Sequence, residues 1–166
     1  GYVFLHFIYT PKLINFALKL PSPWPVGKKV AIIGGGLPGC EMGMKLTGGW
    51  RKMNIFEAGK IGYDVGSSER FIVRNTFKTA DDVEMHEKSR VVSITDSGVY
   101  AVNENGQEDF YEANTVAVTL GFKENRELYE QVKDLAPQVF IVGDCNEPKR
   151  MADATKAGYR AAASIK

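Results

Sequence analysis

The chain has 166 residues, of which 44% are hydrophobic and 25% are charged, and its formal net charge is +1. This balance is typical of a globular protein with one sizeable domain, and the small net charge argues against bulk nucleic acid as a partner. The two cysteines, Cys40 and Cys145, are far apart and form no C-x-x-C pair. Neither a disulfide framework nor a zinc site is therefore indicated, and a reducing cytoplasm is the expected compartment.

The first apolar run, residues 2–9, is much shorter than the roughly 20 residues that a membrane-spanning helix needs. A basic start followed by a small-residue cleavage site is not visible, so secretion is not expected. Residues 1–20 are instead predicted to form a strand or a helix that packs on another part of the protein, within an N-terminal segment at 1–26. No membrane is expected among the partners.

The next part of the chain predicts parallel strands joined by helices. After the proline-rich connector at 21–25, the sequence predicts strands at 29–33, 52–57 and 83–86, and helices at 37–47 and 67–79. A helix-length crossover between successive strands requires that the strands run parallel in one sheet.

Beyond residue 90 the hydrophobic pattern changes to a period of two. Strands are predicted at 91–95, 99–103 and 108–112, separated by the turn signals Asp96-Ser97-Gly98 and Asn105-Gly106. Two continuous apolar strands are predicted at 115–120 and 139–142, and an alanine-rich helix at 151–165. The predicted fold class is therefore α/β, a Rossmann-like parallel sheet with an antiparallel β-meander.

The sequence GGGLPGCE lies directly between the first predicted strand and the first predicted helix. Gly34, Gly36 and Gly39 satisfy G-x-G-x-x-G, in which the first glycine makes a tight turn, the second lets a pyrophosphate approach the backbone, and the third lets the helix pack on the strand. Free amide groups and the positive end of the helix dipole are expected to face a phosphate here, with Leu37 and Pro38 in the same turn. The alternative is a structural glycine turn without a ligand.

Glu57 ends the next predicted strand, about 20 residues after the turn, where a carboxylate can accept both ribose hydroxyls of an adenosine. The same carboxylate would repel a 2′-phosphate, and the three residues after it offer a single cation, Lys60. These residues predict a dinucleotide site that takes NAD(H) in preference to NADP(H).

Three other features favour structural roles. Tyr129 and Lys133 have the Y-x-x-x-K spacing of short-chain dehydrogenases, but the different glycine fingerprint of those enzymes is absent, so we interpret the match as chance. His6 and His86 each stand alone in an apolar segment, which favours packed histidines. Cys40 falls in the first helical turn, where a thiolate would be stabilised, but a small buried side chain is the preferred interpretation.

The ordered series GGGLPGCE, KIGYDVGSSER, the meander, TLGFKENRELYE and IVGDCNEPKRMADATKAGYRAA resembles the C-terminal region of the NADH:flavin oxidoreductases related to 2-enoate reductase and 2,4-dienoyl-CoA reductase. These enzymes join an old-yellow-enzyme barrel to a two-dinucleotide module of the pyridine nucleotide-disulfide oxidoreductase type. The resemblance covers residues 27–166. It implies an FAD/NAD(P)-binding domain fold, with an NAD(H)-binding domain at 27–121 and part of an FAD-binding domain at 122–166.

The resemblance also assigns roles to individual residues. The three fingerprint glycines would take the NAD(H) pyrophosphate and Glu57 its adenosine ribose. Apart from the resemblance, the position of Glu41 just past the third glycine suggests that it helps to position the nicotinamide end. Gly121 would close the strand that leads back to the flavin domain. Gly143 and Asp144 resemble the second FAD motif, in which the aspartate contacts the ribityl and phosphate region of the flavin.

The implied function is to present NADH for hydride transfer to a flavin, with FAD in the complete enzyme and no general acid or base in this chain. The earlier FAD fingerprint and the barrel with its FMN and iron-sulfur cysteines are missing from the sequence, so a fragment of a larger enzyme is expected. The expected partners are the dinucleotide, the flavin and barrel domains, and a second copy in a homo-oligomer. A non-catalytic nucleotide-binding or regulatory module and a methyltransferase are the alternatives.

Overall fold

The computed structural model describes residues 26–165, which fall into two compact units, the first ending at Leu120 and the second beginning at Gly121. The predicted packing of residues 1–25 lies outside the described part of the chain. The domain boundaries expected from the sequence stay predictions. Within residues 26–165, no helix is both long enough and apolar enough to cross a membrane.

The first unit contains seven strands and two helices among its described residues. In chain order they are β1 (Lys29–Ile33), α1 (Leu37–Leu46), β2 (Lys52–Glu57), α2 (Ser67–Thr79), β3 (Val83–Glu87), β4 (Arg90–Thr95), β5 (Gly98–Val102), β6 (Glu108–Glu112) and β7 (Thr115–Val118). Every one of these elements is predicted from the sequence, and each observed end lies within two residues of the predicted one.

Four strands form a parallel sheet in the order β3-β2-β1-β7, and β4-β5-β6 form a separate antiparallel sheet. Helices α1 and α2 make the crossovers between successive parallel strands. The chain crosses from β1 to one side of the sheet to make β2 and β3, and returns on the other side of β1 to make β7. These observations confirm the predicted α/β class, the Rossmann-like sheet and the meander.

Strand β1 is buried on both faces of the sheet. Alternate side chains of a strand point to opposite faces, so this strand supplies residues to two hydrophobic clusters. Val30 and Ile32 belong to a hydrophobic cluster with residues of both helices. Ala31 and Ile33 belong to a second cluster with residues of β5. The continuous apolar run of β1 therefore holds the helical layer on one face of the sheet and the meander on the other.

The second unit contains α3 (Glu127–Val132), a 3-10 turn (Gly143–Cys145) and α4 (Met151–Ala163). None of its described residues is buried, and large apolar side chains such as Phe122, Leu135 and Met151 are 84%, 78% and 87% exposed. Burial of apolar surface is the main favourable contribution to folding. Residues 121–165 consequently lack a hydrophobic core of their own.

The prediction of a strand at 139–142 is wrong. Val142 has extended backbone angles, φ −139° and ψ 156°, but residues 121–165 contain no strand with which this segment pairs. Extended backbone becomes a strand only when a neighbour satisfies its hydrogen-bonding groups. Helix α3 is not predicted from the sequence, since six residues without a buried face leave no hydrophobic periodicity. Helix α4 ends at Ala163, two residues before the predicted end.

Candidate functional site

The turn between β1 and α1 has a geometry that requires glycine at two positions. Gly34 has a φ of +107°, a region in which L side chains are strained, and a Cβ atom there would lie 2.5 Å from the carbonyl O of Thr119. A Cβ atom at Gly39 would lie 2.0 Å from the carbonyl O of Gly34. The first glycine therefore makes the turn and the third brings α1 against the end of β1, as the fingerprint predicts.

Gly36 is the N-cap residue of α1, with φ −71° and ψ −174°. These angles are open to any residue, so its role is not conformational. The nearest atoms to a Cβ at Gly36 would be the Asp64 carboxylate oxygens, at 3.1 and 3.4 Å. The missing side chain thus leaves room directly in front of the helix start, and what fills that room is a carboxylate.

The first amide of α1 already has an anionic partner. Leu37 N donates a hydrogen bond to Asp64 Oδ1 at 2.8 Å, and Pro38, the next residue, has no N–H group. The sequence predicts a free amide at this point, and for Leu37 that prediction is wrong. A carboxylate at a helix N-terminus is stabilised by the same N–H group and dipole that would stabilise a phosphate.

Glu57, the last residue of β2, faces the glycine turn. Its Oε2 accepts a hydrogen bond from Gly35 N at 2.8 Å, and its Oε1 accepts one from Gly59 N at 2.8 Å. The side chain is half-buried. Each carboxylate oxygen has two lone pairs, so both oxygens keep the capacity to accept a ribose hydroxyl. Glu57 therefore fixes the turn and can also hold a sugar.

Two further residues support the site and are not predicted from the sequence. Thr119, which follows β7, donates from Oγ1 to the carbonyl O of Gly34 at 2.8 Å. Glu87, the last residue of β3, accepts a hydrogen bond from Ile61 N at 2.8 Å and pairs with Arg74, and the bond from Arg74 lowers the pKa of the Glu87 carboxyl. Their only sequence signal is a polar residue at or just beyond the carboxyl end of a predicted strand.

The turn, Glu57 and Thr119 all lie at the carboxyl ends of parallel strands. Strand β1 sits where the crossovers diverge, with β2 on one side and β7 on the other. In open α/β sheets, ligands bind in the crevice outside the carboxyl ends at such a switch point. The arrangement can hold an anion at the turn and a pair of hydroxyl groups at Glu57.

Cys40 and His86 are packed residues, as their sequence contexts predict. The Cys40 thiol is buried and donates to the carbonyl O of Gly35 at 3.3 Å, and burial, followed by the charge of Asp64, raises its pKa to about 11. The His86 ring stacks on Phe56 with ring centres 4.7 Å apart and meets Tyr111 edge-on at 4.6 Å. Burial lowers the pKa of His86.

The other predicted site residues occupy diverse positions. Leu37, Pro38 and Glu41 are exposed on α1. In the second unit, Gly121 has a φ of +87°, Gly143 has a φ of +73°, and Asp144 is exposed in the 3-10 turn. Across residues 26–165, no group of three or more His, Cys, Asp or Glu side chains could hold a metal ion. The binding roles of all these residues stay predictions.

Comparison with known proteins places this geometry in a family. Residues 12–161 match the pyridine nucleotide-disulphide oxidoreductase family. The chain is 28% identical to the cinnamate reductase of Clostridium sporogenes and 30% identical to the NADH oxidase of Thermoanaerobacter brockii, over 84% and 83% of its length. It superposes on a 2-naphthoyl-CoA reductase complex with a TM-score of 0.69 and 25% identity, over 84% of the chain.

The chain spans about a fifth of the length of the curated relatives it matches, 21% in both cases, and 21% of the 2-naphthoyl-CoA reductase. These comparisons confirm the resemblance found in the sequence motifs, and the match over residues 12–161 covers most of the 166 residues. The chain belongs to the pyridine nucleotide-disulphide oxidoreductase family, in the branch that resembles 2-enoate reductase.

Proposed function

We propose that the first unit binds NAD(H) and, as part of a larger flavin-dependent oxidoreductase, presents the nicotinamide to a flavin. The observation that carries this proposal is the cradle at the end of β1: a glycine turn whose second glycine leaves space in front of α1, with the carboxylate of Glu57 beside it. Membership of an oxidoreductase family supports the same reading.

The residues present fit a dinucleotide. A diphosphate would be held at the start of α1, where it would replace the Asp64 carboxylate on Leu37 N and where the side-chain-free Gly36 lets it approach the backbone. The adenosine ribose would be held by Glu57, whose orientation is fixed by the amides of Gly35 and Gly59. NADH, when bound, would supply a hydride for a flavin to accept. The chain itself contributes binding and orientation.

We further propose a preference for NAD(H) over NADP(H). A carboxylate at Glu57 would repel a 2′-phosphate on the ribose that it binds. An arginine is the residue that most often meets such a phosphate, and residues 58–60 offer only Lys60. NADPH should therefore bind more weakly than NADH.

The second unit is proposed to complete an FAD-binding domain, with Gly143 and Asp144 close to the flavin. The lack of any buried residue at 121–165 supports this role, because the exposed apolar side chains there need a covering polypeptide to become a core. That polypeptide would be the remainder of the flavin domain, and a catalytic barrel would complete the enzyme. The cytoplasm is the proposed compartment, since Cys40 and Cys145 are both free thiols.

The test is a titration of the full chain with NADH, in which nicotinamide fluorescence reports binding. Gly36→Ala is the informative variant, since its backbone angles suit alanine and its methyl group meets only the movable Asp64 carboxylate. Gly49→Ala is the matched control, because a Cβ there has one neighbour within 4 Å, the carbonyl O of Leu46 at 3.4 Å. We expect Gly36→Ala to weaken NADH binding by about tenfold, which corresponds to about 1.4 kcal/mol, and Gly49→Ala to leave it unchanged.

Equal affinities of the two variants would refute the assignment of the diphosphate to the turn. S-adenosylmethionine serves as a second ligand, and its binding in place of NADH would favour the methyltransferase alternative. Binding of NADH without reduction of a flavin in the reconstituted complete protein would favour the non-catalytic module.

A further inference from the structure

The carboxylate of Asp64 lies where the proposed function requires a phosphate. Its Oδ1 accepts the hydrogen bond of Leu37 N at 2.8 Å, and its Oδ2 lies 3.1 Å from the point where a Cβ of Gly36 would be. The carboxylate thus uses the amide at the start of α1 and also fills the space that the second fingerprint glycine leaves open. A carboxylate at a helix N-terminus brings the same sign of charge and the same kind of hydrogen-bond acceptor as a phosphate.

The negative charge of Asp64 affects the pKa values of neighbouring groups. It adds to the effect of burial in raising the pKa of the Cys40 thiol and that of the Tyr63 phenol. A diphosphate entering the same space would meet this charge at close range. Like charges at such a distance repel.

The backbone that carries Asp64 is firmly held. Ile61 and Val65 are 0% and 2% exposed, and Gly62 N donates to the carbonyl O of Gly35 at 2.7 Å. The guanidinium of Arg70 donates to the carbonyl O of Tyr63 at 2.9 Å and to that of Val65 at 2.8 Å. Displacing the whole segment would break these contacts. Rotation of the Asp64 side chain alone would leave these backbone contacts in place.

We propose that Asp64 is a built-in competitor of the dinucleotide, whose side chain must rotate off Leu37 N before the diphosphate can bind. This inference rests on the proposed function, since it concerns the same site. The apparent dissociation constant for NADH then equals the intrinsic constant divided by the fraction of molecules in which the carboxylate has left Leu37 N. Asp64 thereby lowers the affinity for NADH.

Asp64→Ala should therefore bind NADH roughly tenfold more tightly than the unaltered chain, the factor expected for removal of one competing hydrogen bond to a charged group. Asp64→Asn keeps a carbonyl acceptor but loses the charge. Its affinity for NADH should lie between that of Asp64→Ala and that of the unaltered chain. In the absence of NADH, Asp64→Ala should melt at a lower temperature, because Leu37 N loses its partner. The increase in melting temperature on adding NADH should be larger than for the unaltered chain.

Asp82→Ala is the matched control. Asp82 Oδ2 accepts a hydrogen bond from Gly48 N at 2.9 Å, beyond the C-terminal end of α1, so this variant loses the same charge and a similar bond away from the turn. Its NADH affinity should not change.

The experiment is calorimetric titration of the full chain and the three variants with NADH, with melting curves at zero and saturating NADH. Tighter binding by Asp64→Ala, with Asp82→Ala unchanged, supports the competitor. Equal or weaker binding by Asp64→Ala, while the unaltered chain binds, overturns it and leaves the proposed function standing. Absence of NADH binding by every form, Asp64→Ala included, overturns the proposed function and the competitor with it.

Discussion

Replacement of Glu57 by glutamine tests whether this carboxylate fixes the glycine turn. Glu57 accepts two hydrogen bonds from backbone amides, both at 2.8 Å. A glutamine has a single acceptor oxygen, so its NH₂ group would face one of these two N–H donors. A hydrogen bond to a charged group contributes about 1.5–3 kcal/mol, and the half-buried position of Glu57 favours the lower end of that range.

A loss of about 1.5 kcal/mol corresponds to a fall in melting temperature of roughly 6–12 °C for a unit of about this size. The assay is thermal unfolding followed by circular dichroism, with urea denaturation at 25 °C as an independent measure. Glu112→Gln is the control, because it removes the same charge from an exposed ion pair with Lys29, whose contribution is about 0–1 kcal/mol. Equal falls for the two variants, or a fall below about 2 °C for Glu57→Gln, would refute the structural role.

Three further predictions concern the core and the titratable groups. Phe77 is 1% exposed, so Phe77→Ala should lower the free energy of unfolding by about 3–5 kcal/mol in urea titrations, whereas a loss below about 1 kcal/mol would contradict its place in the core. Burial lowers the pKa of His86 below the unfolded value of about 6.5, so its contribution to stability is complete above that pH and is lost as the pH falls from there towards the folded pKa. Melting temperatures at pH 5–8 should show this loss in the unaltered chain and less of it in His86→Gln; identical profiles would exclude His86 as the cause. The buried Cys40, with a pKa of about 11, should resist a thiol reagent at pH 7.5 while the exposed Cys145 reacts, and mass spectrometry after proteolysis would reveal the reverse order if it occurred.

The fold of the first unit could be predicted because its signals are local. The apolar run of β1, the glycine turn and the turn residues of the meander each specify an element from neighbours in the sequence, and the crossover lengths specify the parallel sheet. The segment 139–142 shows the limit of this approach. Its apolar pattern is that of a strand, but pairing depends on a neighbouring strand that residues 121–165 do not supply.

The candidate site is predictable only in part for a related reason. Gly34, Gly39 and Glu57 follow from a spacing that reflects consecutive elements, namely β1, the turn, α1 and β2. Asp64 reaches Leu37 across 27 positions through a loop held by tertiary contacts, and Thr119 reaches Gly34 across 85 positions. Such long-range contacts leave no periodic trace in the sequence. The carboxylate in front of α1 is thus visible only in three dimensions.

The double burial of β1 has a consequence for how the cradle behaves in solution. Because both hydrophobic clusters take alternate side chains from this one strand, opening it would disrupt both at once, and its amide protons should be among the slowest in the first unit to exchange with solvent. Gly34 continues directly from that strand, and its own amide is bonded to the carbonyl O of Phe56 at 2.9 Å. The conformational entropy of the glycine turn is therefore lost during folding and not during binding. A ligand consequently meets a turn that is already formed.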